Sequence, residues 1–437
     1  MPDSLTPEVA ADFASAFGTL TGGGTVLIGR DARASSPMLQ AAVVSGLLST
    51  GCDVLDFGVC PTPVLQFSAG PFKAVGAVAI SGGHTRMGYN AITLMSSSGS
   101  YMDPVGGETI LDIYHAHDFD KRPWNRGGRL SDPGDFLTPY LDALERRLNA
   151  AAIRKAGFTV VIDPVNGAGC RYLEPFARRF GFKLVPLNAD ESPYMSHDPE
   201  PRPRNARQLA TIITHVHGDV GFVSTSDMGR ISLVTEDGET ASEEYTFPLI
   251  ANHVLGQRNG VLVTNICTTR MVDDVAEAHG ARVVRTAVGQ AYIMSALADE
   301  GGVIGGEGNG SCALPEFSRA FDGFLMMGLV LEAMAQSGRR ASQLLRDLPR
   351  YHIVKRQIYG EARRCYRALE GIEQERSLVH NGRVDLTAGL RIDWKDGWLH
   401  LRASRTEPMI RIISESVSKP KAEERAVNAM RLLEQRL

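Results

Sequence analysis

Ile80-Ser81-Gly82-Gly83-His84-Thr85-Arg86-Met87-Gly88-Tyr89-Asn90 is the stretch from which the chain is best read. Two adjacent glycines stand where a loop approaches something closely, flanked by hydroxyls at Ser81 and Thr85 and an imidazole at His84. Gly83 itself has no nucleophile. Upstream, Thr25 to Gly29 predicts a short apolar strand. Ser36 follows as an N-cap with Pro37 at the first helical position. The helix then carries Leu39, Val43 and Leu47/Leu48 at helical spacing and stops near Gly51, and Val54 to Phe57 resumes as strand.

The same plan recurs twice. Thr159 to Asp163 is a strand ending in Pro164-Val165-Asn166-Gly167-Ala168-Gly169, with a helix and the strand Lys183 to Leu187 after it. Gly260 to Thr264 is a strand, Met271 to Ala278 a helix and Arg282 to Thr286 a strand. Three such units predict divergent α/β repeats. The last part differs. Leu390 to Leu401 reads as a β-hairpin with an Asp396-Gly397 turn, Met409 to Ile413 as a strand and Pro420 to Leu437 as an amphipathic helix, together a small α+β domain. The expected boundaries lie near 148, 252 and 357, giving segments 1–148, 149–252, 253–357 and 358–437 of the 437 residues.

A net charge of -4 gives no electrostatic case for nucleic acid or an anionic membrane as partner. No apolar run reaches the roughly 18 residues of a membrane span, and the first residues lack a basic-then-apolar leader. The six cysteines are widely spaced without a C-x-x-C pair, which predicts reduced thiols and no zinc site. A cytoplasmic protein is the expectation. The pairs His115/His117 and His215/His217 would each share one side of a strand, and read as surface or packing histidines.

Four Gly-rich or basic loops, one per segment, carry a resemblance over nearly the whole chain: Ile80 to Asn90, Thr225-Ser226-Asp227-Met228-Gly229-Arg230, Gly305-Gly306-Glu307-Gly308-Asn309-Gly310 and Arg402-Ala403-Ser404-Arg405-Thr406-Glu407-Pro408. Together with His197-Asp198-Pro199-Glu200-Pro201, they resemble the α-D-phosphohexomutases, the phosphomannomutase and phosphoglucomutase superfamily. The resemblance implies three related mixed α/β domains and a C-terminal α+β domain around a central cleft. It also implies phosphate binding by Arg402, Ser404, Arg405, Thr406 and Arg411, and sugar-hydroxyl recognition by Glu307 and Asn309. Ser311 stands where many members carry an acid/base His.

The phosphoryl-transfer groups depart from the family's pattern. Gly83 occupies the phosphoserine position, though the adjacent His84 is retained. The Asp-Gly-Asp-Gly-Asp-Arg metal loop keeps Asp227 and Arg230 but has Thr225 and Gly229 at the other two carboxylate positions. Thr93 and Ala287 replace lysines. One carboxylate beside neutral hydroxyls is a poor magnesium site, so no metal is expected. Vacant space beside Gly82 and Gly83 would admit a phosphate to their amides, and Arg86 and Arg405 would line the cleft. Ser81 is displaced from the nucleophile position by two residues, several ångströms at roughly 3.3 Å per residue.

The first expectation is therefore a non-enzymatic relative that binds a phosphorylated sugar or a bisphosphate, as a sensor, a regulator or the partner of an enzyme. The alternative is a magnesium-dependent mutase interconverting hexose 1- and 6-phosphates with a displaced nucleophile. Different chemistry in the same cleft is a thinner third. The sugar's identity, a protein partner and homo-oligomerisation stay open.

Overall fold

The structure, a computed structural model, describes residues 5–404 and 408–437. Its strands form four sheets. In the first, β1 (Gly24–Arg30) lies between β2 (Cys52–Val59) and β3 (Gly76–Ile80), all parallel. β4 (Ile92–Ser96) adds antiparallel to β3, and β5 (Leu130–Ser131) extends the other edge. The second sheet repeats this: β6 (Thr159–Asp163) lies between β7 (Lys183–Pro186) and β8 (Val220–Ser224), with β9 (Ile231–Thr235) antiparallel to β8. So does the third, with β10 (Val261–Asn265), β11 (Arg282–Thr286), β12 (Gly302–Glu307) and an antiparallel β13 (Ser311–Ala313).

The repeat has a consequence for the site. In each unit the third strand turns back into an antiparallel edge strand. The three turns β3–β4, β8–β9 and β12–β13 are the loops containing Gly83, Asp227 and Asn309. The runs Gly76–Ile80 and Val220–Ser224 are buried throughout because helices cover both faces of such sheets.

The fourth sheet is antiparallel, in the order β14 (His352–Tyr359), β18 (Met409–Ser416), β17 (Gly397–Ala403), β16 (Leu390–Trp394) and β15 (Arg383–Asp385). The helix Lys419–Glu434 packs against it. The first three units share one apolar cluster, from Leu27 through Phe176 and Phe247 to Leu348, whereas the fourth has its own around Ile392, Leu401 and Leu433.

Several expectations shift. Ser36 is the first helical residue rather than the cap, and its hydroxyl donates to Asp31 Oδ1 at 2.8 Å. The hairpin turn is Lys395-Asp396, because Trp394 pairs with Gly397. The boundary expected near 252 falls inside the helix Thr246–Gln257, and that near 357 inside β14, which pairs with β18 along its whole length. His115 lies in the last turn of one helix and His215 ends another, with His117 and His217 beyond them in left-handed conformation; no strand carries either pair, and all four are exposed. Among the described residues, no helix is long and apolar enough to cross a membrane, and all six cysteines are free.

Candidate functional site

The β3–β4, β8–β9, β12–β13 and β17–β18 turns converge on a cleft of about 660 Å³. Its wall includes Gly83, His84, Asp227, Arg230, Glu307, Asn309, Arg402, Ser404 and Arg411, so most of the expected site residues are brought together. Arg405 and Thr406 lie outside the described residues. Arg86 does not line the cleft: its side chain is exposed, and only its carbonyl is used, accepting from Arg33 at 2.8 Å.

Arg33 shapes the Gly83 loop. Its guanidinium is fully buried and donates to Asp31 Oδ2 and to the carbonyls of Gly83, Thr85, Arg86 and Tyr89 at 2.8 to 3.1 Å. The loop's outward carbonyls are therefore gathered from beneath by one planar fork of donors. Gly83 adopts φ 52°, and a Cβ there would meet Asp227 Oδ2 at 2.9 Å.

Both glycines line the cleft, but the Gly83 amide expected to receive a phosphate is already engaged. The Gly83 amide donates to Ser81 Oγ at 3.0 Å, and a Cβ on Gly82 would fall 2.5 Å from Arg33 Cζ. Ser81 Oγ in turn donates to Asp31 Oδ2 at 2.8 Å, so this hydroxyl is tied beneath the loop.

In the second loop the Thr225 hydroxyl donates to Asp227 Oδ1 at 2.6 Å and accepts from the amides of Gly229 and Arg230 at 3.1 Å. Asp227 Oδ1 also accepts from the Gly229 amide at 3.0 Å. The Ser226 hydroxyl donates to the Gly83 carbonyl at 2.8 Å and joins the two loops. Magnesium demands several hard oxygens in near-octahedral array. One carboxylate with an oxygen already accepting two hydrogen bonds does not fit it, and among the described residues no group of three His, Cys, Asp or Glu is placed to hold a metal ion.

The surroundings are strongly cationic. The Arg230 guanidinium, then burial, then Arg411, Arg202 and Arg33 push the His84 imidazole down to about 2, so it is neutral. Arg202, on the cleft wall beside its partner Glu200, escaped the sequence reading although it immediately follows Pro201.

The third loop is held differently. Glu307 Oε1 accepts from Asn265 Nδ2 at 2.8 Å and the Gly289 amide at 3.2 Å, and Oε2 from Asn309 Nδ2 at 2.8 Å. With its amide nitrogen engaged, Asn309 turns an acceptor, Oδ1, the other way; that atom and Ser311 Oγ are buried without a protein partner. Buried polar atoms of this kind call for water or a ligand. In the fourth sheet Arg402 stands opposite Arg411 in register, and the Ser404 amide donates to the Met409 carbonyl at 2.9 Å. Glu243, Glu244 and Lys355 also line the cleft. Nothing local in the sequence marked them.

Three family models match in order, described as phosphoglucomutase/phosphomannomutase alpha/beta/alpha domain I over residues 1–121, domain II over 138–238 and domain III over 242–351. A relative named phosphoglucomutase/phosphomannomutase, from Thermococcus kodakarensis, is 35% identical over 100% of this chain and 96% of its own. Among solved structures, a phosphoglucomutase/phosphomannomutase family protein from Burkholderia thailandensis superposes with TM-score 0.85 at 22% identity, covering 100% of this chain and 95% of that one. The N-acetylphosphoglucosamine mutase of Aspergillus fumigatus, solved with GlcNAc-6P and magnesium, gives 0.60 at 14% identity, covering 95% and 78%. With the repeated hairpin loops and the cleft they form, these likenesses establish that the chain belongs to the phosphoglucomutase/phosphomannomutase family of the α-D-phosphohexomutase superfamily.

Proposed function

We propose that this chain binds a phosphorylated hexose in the central cleft, with the phosphate toward Arg402, Ser404 and Arg411 and the sugar hydroxyls toward Glu307 and Asn309. The observation that carries this is the state of Asn309 and Ser311, whose buried polar atoms lack protein partners beside an oriented Glu307 carboxylate. Guanidinium groups in register on one sheet suit phosphate oxygens through charge-assisted hydrogen bonds. A bisphosphate would direct its second phosphate toward His84, Arg230 and Arg202, the cationic end of the cleft.

Two readings of the chemistry follow. Binding without phosphoryl transfer, in a sensor or regulator, is supported by this chain's own residues: Gly83, Thr93, Thr225, Gly229 and Ala287 remove the nucleophile, two carboxylates and two cations. Phosphoryl transfer relies on positioning and charge neutralisation, which those groups would supply. The second reading is a mutase interconverting hexose 1- and 6-phosphates, an intramolecular phosphotransferase. It has the better support from the relatives, since one so named is 35% identical over the full chain, and nothing among them favours a regulator.

Calorimetric titration with glucose and mannose 1-phosphates, 6-phosphates and 1,6-bisphosphates tests the binding reading; heat with none of them removes it. Intact-mass measurement after incubation with a 1,6-bisphosphate and magnesium, alongside a turnover assay, separates the two chemistries. A covalent +80 Da adduct (about one phosphoryl group) with turnover would establish the mutase; tight binding with neither would establish the binder.

A further inference from the structure

Lys355 stands on β14, at the edge of the fourth sheet. Its ammonium donates to Glu243 Oε1 at 2.8 Å, lies 2.8 Å from Glu244 Oε1 and reaches the Gly308 carbonyl at 3.4 Å. Strand register explains how one sheet supplies this lysine together with the arginines. Lys355 pairs with Ile413, Gln357 with Arg411, and Arg411 with Arg402. Residues directly opposite, or two apart, share a face of a sheet. Lys355, Ile413, Arg411 and Arg402 accordingly all line the cleft.

The carboxylates on the other side belong to the third unit. Glu244 Oε2 accepts from the Thr269 amide at 3.4 Å, and a Cβ on Gly308 would fall 1.9 Å from that oxygen, so Glu244 is seated directly against the hydroxyl-binding loop. Because the fourth sheet has its own apolar cluster, polar contacts align it with the rest. Glu415 accepting from the Arg270 amide at 2.8 Å and the Cys267–His400 contact at 3.2 Å are two of these. Lys355 makes a contact that runs to the loop between β12 and β13.

We propose that Lys355, through Glu243 and Glu244, is a positioning residue that couples the hydroxyl-binding loop to the phosphate-facing strands, so that a ligand carrying both a hexose and a phosphate is favoured over phosphate alone. The proposal rests on the hexose-phosphate reading above. Its physical basis is preorganisation: two half-sites held in fixed relation reduce the ordering cost when one ligand spans them.

The test is calorimetry on the full chain with glucose 6-phosphate, mannose 6-phosphate and inorganic phosphate. Lys355→Met is compared with Lys355→Arg, which keeps the cation, and with the triple variant Glu243→Gln, Glu244→Gln, Lys355→Met, which leaves no buried carboxylate unpaired. Lys355→Met and the triple variant are expected to lose about tenfold or more in affinity for the hexose phosphate they bind best, with inorganic phosphate held within about twofold and Lys355→Arg restoring most of the preference. Equal losses for hexose phosphate and phosphate, or wild-type preference in a folded triple variant, overturn the coupling alone. A wild-type chain that binds no hexose phosphate overturns the reading on which it rests.

Discussion

The β3–β4 and β12–β13 turns are the same hairpin in two repeats, and they have met opposite fates. At the first, every strong interaction points inward: Arg33 collects four carbonyls, Ser81 binds Asp31, and Gly83 presents no side chain to the cleft. At the second, Asn265 and the Gly289 amide hold Glu307 from behind, and Asn309 Oδ1 and Ser311 Oγ are buried without a protein partner. The backbone of a site loop and its chemistry are thus maintained by different residues.

Breaking the inward set should have the largest effect. Arg33→Met leaves Asp31 buried beside orphaned carbonyls, and chemical denaturation is expected to show a loss of about 3–5 kcal/mol; a change under 1 kcal/mol would mean the loop holds its shape by other means. Next comes the cleft-facing set. Arg402→Ala should weaken binding of the preferred hexose phosphate by about 2–3 kcal/mol in calorimetry, the worth of charge-assisted bonds to phosphate. Gly83→Ser sharpens the comparison from the other side. At φ 52° a side chain is strained, and its Cβ crowds Asp227, so a melting-point decrease equivalent to about 1–2 kcal/mol is expected. Mass spectrometry should find no phosphoryl adduct on that variant without Thr225→Asp and Gly229→Asp beside it.

The smallest effect concerns pH. Burial raises the Glu244 carboxyl to about 7, against the opposing pull of Lys355. A folded-state value above the unfolded one means that its contribution to stability is complete below the usual carboxylate range, near 4.5, and is lost as pH rises through about 7. Glu244→Gln stays neutral throughout. Its melting temperature relative to the wild type should therefore climb between pH 5 and pH 8; a constant difference would show that Glu244 ionises at an ordinary pH.

Much of this architecture was legible because local pattern and tertiary role coincide. Buried runs such as Val160 to Ile162 can only be central strands, and the helix Met271–Ala278 and strand Arg282–Thr286 were readable to the residue. The edge strands were not. Ser311–Ala313 has three residues and no alternation to detect, although its pairing with β12 builds the turn that holds Asn309. Residues of the cleft could be named where a loop motif marked them. Arg33 was in plain view, but its role depends on carbonyls 50 to 56 positions away, and Lys355 meets Glu243 across 112 positions. Such pairings leave no local trace. The engaged amide of Gly83 was hidden for a related reason: the hydroxyl two residues earlier folds back and takes it.

Arg33 makes its loop contacts almost entirely with main-chain oxygens, and every residue type provides those equally. Thr85, Arg86 and Tyr89 can therefore change side chain without altering these contacts, whereas Gly83 is confined by its φ of 52° and by Asp227. Away from Gly83, the β3–β4 turn is in this respect a mould that keeps its form whatever side chains it carries.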